Sequence, residues 1–323
     1  MAMPHGETPP YRGDEHPDGE IKCAGLDGRR LRYEHVAPTT RTPAFLPYLI
    51  PILLVDLLSP IRMGLRARIL LLLFLVSVGA RDIPNNVQEF YDSVVAQGSC
   101  KRPLQTGFYD MVDSDDNSFA YCGDHVDDYG IIYLQGGNGK LANMDTDCDG
   151  DRSKNDDGRC DDAHSVQSVT AMRDYVSAYE SGVSDLNPFV HDYVVFGNTG
   201  DKDGWITFDP RDYGMKPLSV MAVVCNNRLI YGIWGDTNGD DGVNPRVGEA
   251  SISLATLCFG ADFDLSGDVG QGILYIGFTG GDAVPGDNAN WAAADEEEFQ
   301  SSIKSIGDKL IQRIGGTTNT SSF

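Results

Sequence analysis

Apolar positions recur along residues 81–323 with two different spacings. Over 85–97, Val87, Phe90, Tyr91 and Val94 follow steps of three and four, which places them on one helix face. The same spacing links Val166, Val169, Met172, Val176 and Tyr179 over 165–181, with Gly182 as a stop. It returns in Phe299, Ile303, Ile306, Leu310 and Ile314 over 296–314. These stretches predict three helices. Between them lie short runs rich in Val, Ile, Tyr and Phe, bounded by Gly, Asn, Asp and Pro. They predict strands over 118–122, 130–135, 192–197, 219–225, 228–234, 249–256 and 272–278. VMAVVC and RLIYGIW are separated by Asn226–Asn227, a tight hairpin signal because Asn tolerates positive φ. There is no alternating βαβ rhythm. The expected class is α+β and β-rich: one compact domain on an antiparallel or mixed, β-barrel-like sheet with about three helices.

The first 80 residues have a different character. Residues 1–43 are rich in Pro, Gly, Arg and Glu and show no hydrophobic period. Residues 63–80, MGLRARILLLLFLVSVGA, have the layout of a secretory signal: Arg66 and Arg68, an apolar core from Ile69 to Val76, and small residues at Val78 and Ala80. Residues 1–62 are therefore expected to be a gene-model extension or disordered. The alternative is an anchor formed by 44–58 and 69–79, both short for a membrane span. A mature chain would begin near Arg81, and the polar end, 316–323, reads as a flexible tail with a glycosylation sequon at Asn319.

Seven cysteines are present, and only Cys23 precedes residue 81. The six that remain imply a disulfide-stapled, extracellular protein. Cys148–Cys160 closes a short loop and is the one pairing the spacing favours. Residues 1–80 hold 9 basic and 8 acidic residues; the remainder holds 16 and 40, a net charge of −24. Such a surface repels phosphate backbones and attracts polycations, so nucleic acid is excluded as a partner.

Three acidic segments resemble the start of a calcium loop: 145–150 (DTDCDG), 236–242 (DTNGDDG) and 262–267 (DFDLSG). None completes the twelve-residue pattern. From Asp145 the twelfth position is Asp156, from Asp262 it is Ile273, and from Asp236 the next Glu arrives two places late, at Glu249. Asp145, Asp147 and Asp149 remain candidate metal ligands; the competing reading is a disulfide-stapled acidic surface loop. His125, His164 and His191 lack the close spacing of a zinc site. No phosphate-binding loop, dinucleotide motif or nucleophile elbow is present.

Paired carboxylates are the other chemistry on offer. Asp236 follows the run RLIYGIW, and Glu249 opens the run EASISLATLCF. Two neighbouring strands joined by that 12-residue loop would bring both groups to one sheet rim. Glycoside hydrolysis needs such a pair, one group to protonate the leaving oxygen and one to activate water or attack the sugar.

The segments 193–225 and 227–260, with GFYDMVDSDDNSFAYCGDH and NMDTDCDGD, resemble fungal chitosanases of glycoside hydrolase family 75. The resemblance spans roughly 82–280. It implies a catalytic domain over 81–315, and a secreted endo-acting enzyme that cleaves β-1,4 bonds of chitosan with inversion, as a monomer without cofactor or membrane attachment. It also implies that Asp236 and Glu249 are the essential carboxylates, here with Glu249 as acid and Asp236 as base. Arg246 departs from the less charged residue expected beside that segment. Asp201, Asp203, Asp240 and Asp241 are candidates for binding substrate ammonium groups, and Trp205, Trp234 and Tyr193 for stacking on sugar rings. The rival class is a calcium-dependent carbohydrate or cell-wall-binding module without catalysis.

Overall fold

The computed structural model describes residues 81–110, 115–161, 166–179, 181–261 and 271–316. The expected signal at 63–80, the 62 residues before it, the acidic segment 262–267, His164, Asn319 and nearly all of the expected tail lie outside the described residues.

Nine strands form one mixed sheet. In chain order they are β1 (Pro103–Phe108), β2 (Phe119–Cys122), β3 (Ile131–Gln135), β4 (Asp145–Asp147), β5 (Tyr193–Asn198), β6 (Val220–Cys225), β7 (Arg228–Asn238), β8 (Glu249–Ser251) and β9 (Leu274–Phe278). The spatial order is β1-β2-β3-β9-β6-β7-β5-β8-β4. Neighbours run antiparallel except β5 with β7 and β4 with β8. The sheet curls strongly. Tyr109, just past β1, bridges to Arg246 before β8, and Ala142 before β4 bridges to Ile273 before β9. This is the barrel-like, β-rich α+β architecture that the strand pattern predicts.

Residues of β5, β6 and β9 are buried throughout, which explains their unbroken apolar runs. The β6–β7 hairpin turns at Asn226 and Asn227 with φ of 45° and 58°, as their identity predicts. Three disulfides staple the fold: Cys100–Cys122, Cys148–Cys160 and Cys225–Cys258.

Four α-helices occur among the described residues: α1 (Asn85–Gln97), α2 (Arg173–Val176), α3 (Ile252–Phe259) and α4 (Glu296–Leu310). The first matches its predicted span. The last is capped by Asp295, whose side chain accepts from the Glu298 amide, and it carries three glutamates in its first turn. It lies on β6 and β7. Gln300 of α4 pairs with the β7 backbone, accepting from the Tyr231 amide and donating to the Tyr231 carbonyl.

Two predicted elements are corrected. The strand expected over 249–256 ends at Ser251, whose side chain accepts from the Leu254 amide and starts α3. Ile252, Ser253, Leu254, Ala255 and Cys258 are all buried, so this helix is hydrophobic nearly all round and shows no period that distinguishes it from a strand. The helix expected over 165–181 shrinks to the single turn α2, and Val169 faces solvent. Its amides are taken by carboxylates: Gln167 donates to Asp149, Thr170 to Asp185 and Ala171 to Asp236. A helix over 165–181 would need the Thr170 and Ala171 amides for its own ladder. Two further strands, β1 and β4, are short and polar and leave no apolar pattern in the sequence.

Helix α4 packs tightly on the sheet at Gly307, where an added Cβ would lie 2.3 Å from the Tyr231 ring. Gly307→Val is expected to destabilise the protein by about 2 kcal/mol through overpacking and to lower its thermal midpoint by several degrees. An unchanged midpoint would show that α4 can lift from the sheet at no cost.

Candidate active site

One row of residues crosses four strands at the rim of the sheet. Val195 of β5 pairs with Asp236 of β7 on one side and with Glu249 of β8 on the other. Glu249 in turn pairs with Asp145 of β4. Asp236 and Glu249 are thus not on neighbouring strands, as the loop length suggested. The connection passes over β5, which separates them by two strand spacings, about 9–10 Å between backbones. The β5–β7 register slips between Trp234 and Asp236, leaving Gly235 as the extra residue of a bulge. A side chain there would meet the Tyr193 Cβ at 2.4 Å. Asp236 therefore lies within β7 itself, beyond the predicted strand end.

Asp236 is buried. Its Oδ1 accepts from the amides of Ala171 at 2.9 Å and Thr237 at 2.7 Å. Burial raises its pKa, the two amides oppose that, and the nearby charges of Asp149 and Asp185 add to it. Glu249 is raised by burial and then by Asp145 and Asp236, while a hydrogen bond with the Asn238 side chain opposes the rise. Asp145 is also raised by burial, with the Thr146 amide and Arg246 acting against it.

Asp147 and Asp149 complete the cluster, both raised chiefly by burial. The DTDCDG segment is therefore not a surface loop: its first three residues are strand β4 beside Glu249, and the Cys148–Cys160 disulfide anchors the chain immediately after that strand. Single carboxylate oxygens of Asp147, Asp149 and Asp236 lie within 4.8 Å of one another, close enough to share a small cation. Asp145, expected as the first ligand of such a group, stands instead beside Glu249. Three carboxylates supply fewer oxygens than calcium prefers, so water would have to complete the shell.

The segment that presents Glu249 is clamped from behind. Asn198 and Asn238, at the ends of β5 and β7, both donate to the Arg246 carbonyl, at 2.8 and 3.2 Å. Asn198 is itself held by the Tyr121 hydroxyl at 2.8 Å. Gly248 has φ +93°, and a Cβ there would meet the Asn143 carbonyl at 2.8 Å, so glycine is required immediately before Glu249. Asn198 and Asn238 carry no motif that marks them in the sequence. The only available signal is the position of Asn238, two residues beyond Asp236.

The expected substrate-binding residues divide into two groups. Asp201, Asp203, Trp205, Asp240 and Asp241 come together where the loops after β5 and β7 clasp. Asp240 Oδ2 accepts from the amides of Asp201 and Lys202, both at 2.8 Å, which holds its pKa down. Lys202 Nζ reaches the Gly242 carbonyl at 2.9 Å and lies 5.0 Å from the Trp205 ring centroid. Trp234 and Tyr193 are buried and serve as scaffold, contrary to the stacking role expected for them. Trp234 Nε1 donates to the Asp236 carbonyl, and the Tyr193 hydroxyl donates to the Asp149 carbonyl.

Hollows flank the 166–173 segment. One, of about 570 Å³, is lined by residues that include Asp151, Arg152, Gln167 and Asp185. The other, of about 130 Å³, reaches Ala171, Tyr175, Asp209, Arg211, Trp234 and Thr237, and shares Thr199, Phe208 and Asp209 with a further cleft of about 360 Å³.

The raised carboxyls make a pH prediction. Asp145, Asp147, Asp149, Asp236 and Glu249 are all shifted toward their protonated forms in the folded state, chiefly by burial. Their stabilising contribution is complete below the ordinary carboxyl range and is lost as pH rises through their folded values. The thermal midpoint should fall between pH 5 and pH 8. Asp147→Asn should raise the midpoint more at pH 8 than at pH 5. A midpoint that climbs over that interval would contradict the burial of this cluster.

Comparison with known proteins places the chain in a family. Residues 144–313 match the family described as fungal chitosanase of glycosyl hydrolase group 75. An endo-chitosanase of Aspergillus fumigatus is 46% identical over 248 residues, covering 76% of this chain and 97% of the relative. An endo-chitosanase of Aspergillus oryzae is 46% identical over 237 residues, covering 72% and 91%, and an endo-chitosanase B of Aspergillus oryzae is 45% identical over 248 residues, covering 76% and 97%. The match includes the β4, β7 and β8 segments that carry or adjoin the five carboxyls, and the chain belongs to the fungal chitosanase family, glycosyl hydrolase group 75.

Proposed function

We propose that the protein is a secreted endo-chitosanase that hydrolyses β-1,4 bonds between glucosamine units with inversion at the anomeric carbon. The observation that carries this reading is the placement of Asp236 and Glu249 on either side of Val195, one strand apart on each side. Inverting enzymes hold their carboxyl groups about 6.5–9.5 Å apart, which two strand spacings can supply. The relatives named as endo-chitosanases support the substrate. So does the net charge of −23, since chitosan is a polycation in mild acid. The family is one of glycoside hydrolases, so the non-catalytic alternative falls away.

In this mechanism Glu249 is the acid. Its raised pKa keeps it protonated in mild acid, and it gives that proton to the glycosidic oxygen as the C1–O bond breaks. A carboxylate on the opposite face takes a proton from water as the water oxygen bonds to C1. Glucosamine has no N-acetyl carbonyl, so the enzyme must supply both groups. Asp236 is the assigned base: Oδ1 is anchored by two amides, which leaves Oδ2 for the water. One observation favours a second reading for this role. Asp240 is kept ionised by the amides of Asp201 and Lys202, whereas Asp236 is pushed toward its neutral form.

The catalytic domain is taken as residues 81–315, and the signal-like stretch 63–80 with three disulfides supports secretion. An N-terminus near Arg81 in secreted protein, measured by mass spectrometry, is the expected result; peptides from residues 1–60 would refute it.

Reducing-end release from chitosan tests the chemistry. Glu249→Gln is expected to lower kcat by at least about 10²-fold, and Asp236→Asn likewise. Full activity in either variant removes that residue from the assignment. Full activity in Asp236→Asn with loss in Asp240→Asn transfers the base role to Asp240. Proton NMR during early turnover should show the α-anomer first; the β-anomer would rule out inversion.

A further inference from the structure

Tyr175 is the only aromatic residue among the exposed large hydrophobic side chains of the described residues, at 45% exposure. It stands on α2, four residues after Ala171, whose amide binds Asp236. It walls the 130 Å³ pocket, whose remaining lining includes Met172, Phe208, Pro210, Pro217 and Trp234. Trp234 and Thr237 connect this lining directly to Asp236: Trp234 Nε1 donates to the Asp236 carbonyl, and the Thr237 amide donates to its carboxylate.

Charge distinguishes this pocket from the rest of the cleft. Its acidic residue, Asp209, is engaged by Arg211, whose Nε lies 2.9 Å from both carboxylate oxygens and whose Nη2 lies 2.6 Å from Oδ2. The Arg211 amide donates to the same carboxylate. Arg211 and Tyr175 line the same pocket, and after Asp209 the nearby Tyr175 side chain adds to the upward shift of the Arg211 pKa. The Asp209–Arg211 pair therefore cancels the local negative charge beside the Tyr175 ring. The carboxyls of Asp147 and Asp149 gather at Asp236 and are not part of this pocket's lining. An ammonium group is attracted to that acidic side, whereas a neutral pocket with an aromatic wall suits the C–H face of a pyranose ring.

We propose that this pocket is the subsite for the sugar unit adjoining the scissile bond, with Tyr175 stacking on the ring face and Arg211 orienting Tyr175. The inference rests on the chitosanase reading and deepens it by naming a sugar-binding aromatic residue that neither Trp234 nor Tyr193 can be.

Two measurements test it: KM and kcat on chitosan, and affinity for the glucosamine hexamer in the Glu249→Gln background. Tyr175→Ala is expected to raise KM and weaken hexamer binding about tenfold, the scale of uncovering one ring face, with kcat within about twofold. Tyr175→Phe, which keeps the ring, should stay within about threefold of the parent. Arg211→Ala should fall between them. A purely structural role for Tyr175 would lower the thermal midpoint and kcat and leave hexamer affinity intact; that result overturns the proposal, as does unchanged KM in Tyr175→Ala. If the wild type fails to cleave chitosan but hexamer binding still falls in Tyr175→Ala, the chitosanase reading fails and the sugar subsite stands. If the Glu249→Gln protein binds no hexamer, the subsite fails as well.

Discussion

Five carboxyl groups are drawn into one water-poor rim of a sheet without five cations to match them, and the architecture around the cleft answers that constraint. Removing a carboxylate from water is expensive, and the available remedies are protonation, hydrogen bonds from amides, and an opposing charge. All three are in use. Asp145, Asp147, Asp149, Asp236 and Glu249 are shifted toward their neutral forms. Amides of Gln167, Ala171 and Thr237 serve Asp149 and Asp236. Arg246, a departure from the expected residue in an acidic segment, acts on Asp145 and so on the surroundings of Glu249.

The same constraint accounts for the irregular parts of the chain. The segment before α2 has a helical apolar pattern, yet its amides are spent on carboxylates, so it forms an open cradle. The bulge at Gly235 and the positive φ of Gly248 set Asp236 and Glu249 at their places on β7 and β8. Such local departures from regular structure concentrate where a site must be built. They are tolerated because the sheet beneath them is buried on both faces and held by α4 and three disulfides.

Two kinds of surface adjoin the carboxyl cluster. Clasped acidic loops, joined by Asp240 to the amides of Asp201 and Lys202, present carboxylates to solvent at the rim. The Tyr175 pocket presents apolar surface and a neutralised ion pair. A linear, cationic sugar polymer has both features itself, charged amino groups at its edges and C–H faces on its rings.

Much of this protein can be read from its residues alone. Helix α1, helix α4, the Asn226–Asn227 hairpin and five central strands follow from local periodicity and turn chemistry, which depend only on neighbours in the chain. Asp236 and Glu249 are visible locally as carboxylates beside apolar runs, while their selection as a pair rests on the family resemblance. The surroundings of that pair are not determined locally. That β5 separates the pair, that Asp147 and Asp149 converge on Asp236, and that Trp234 and Tyr193 are buried all depend on strand order. Strand order is decided by long-range pairing across a curled sheet. The helix lost before α2 and the helix gained in α3 have the same origin: tertiary partners claimed the backbone amides in one and buried every face of the other, and neither effect leaves a local period to read.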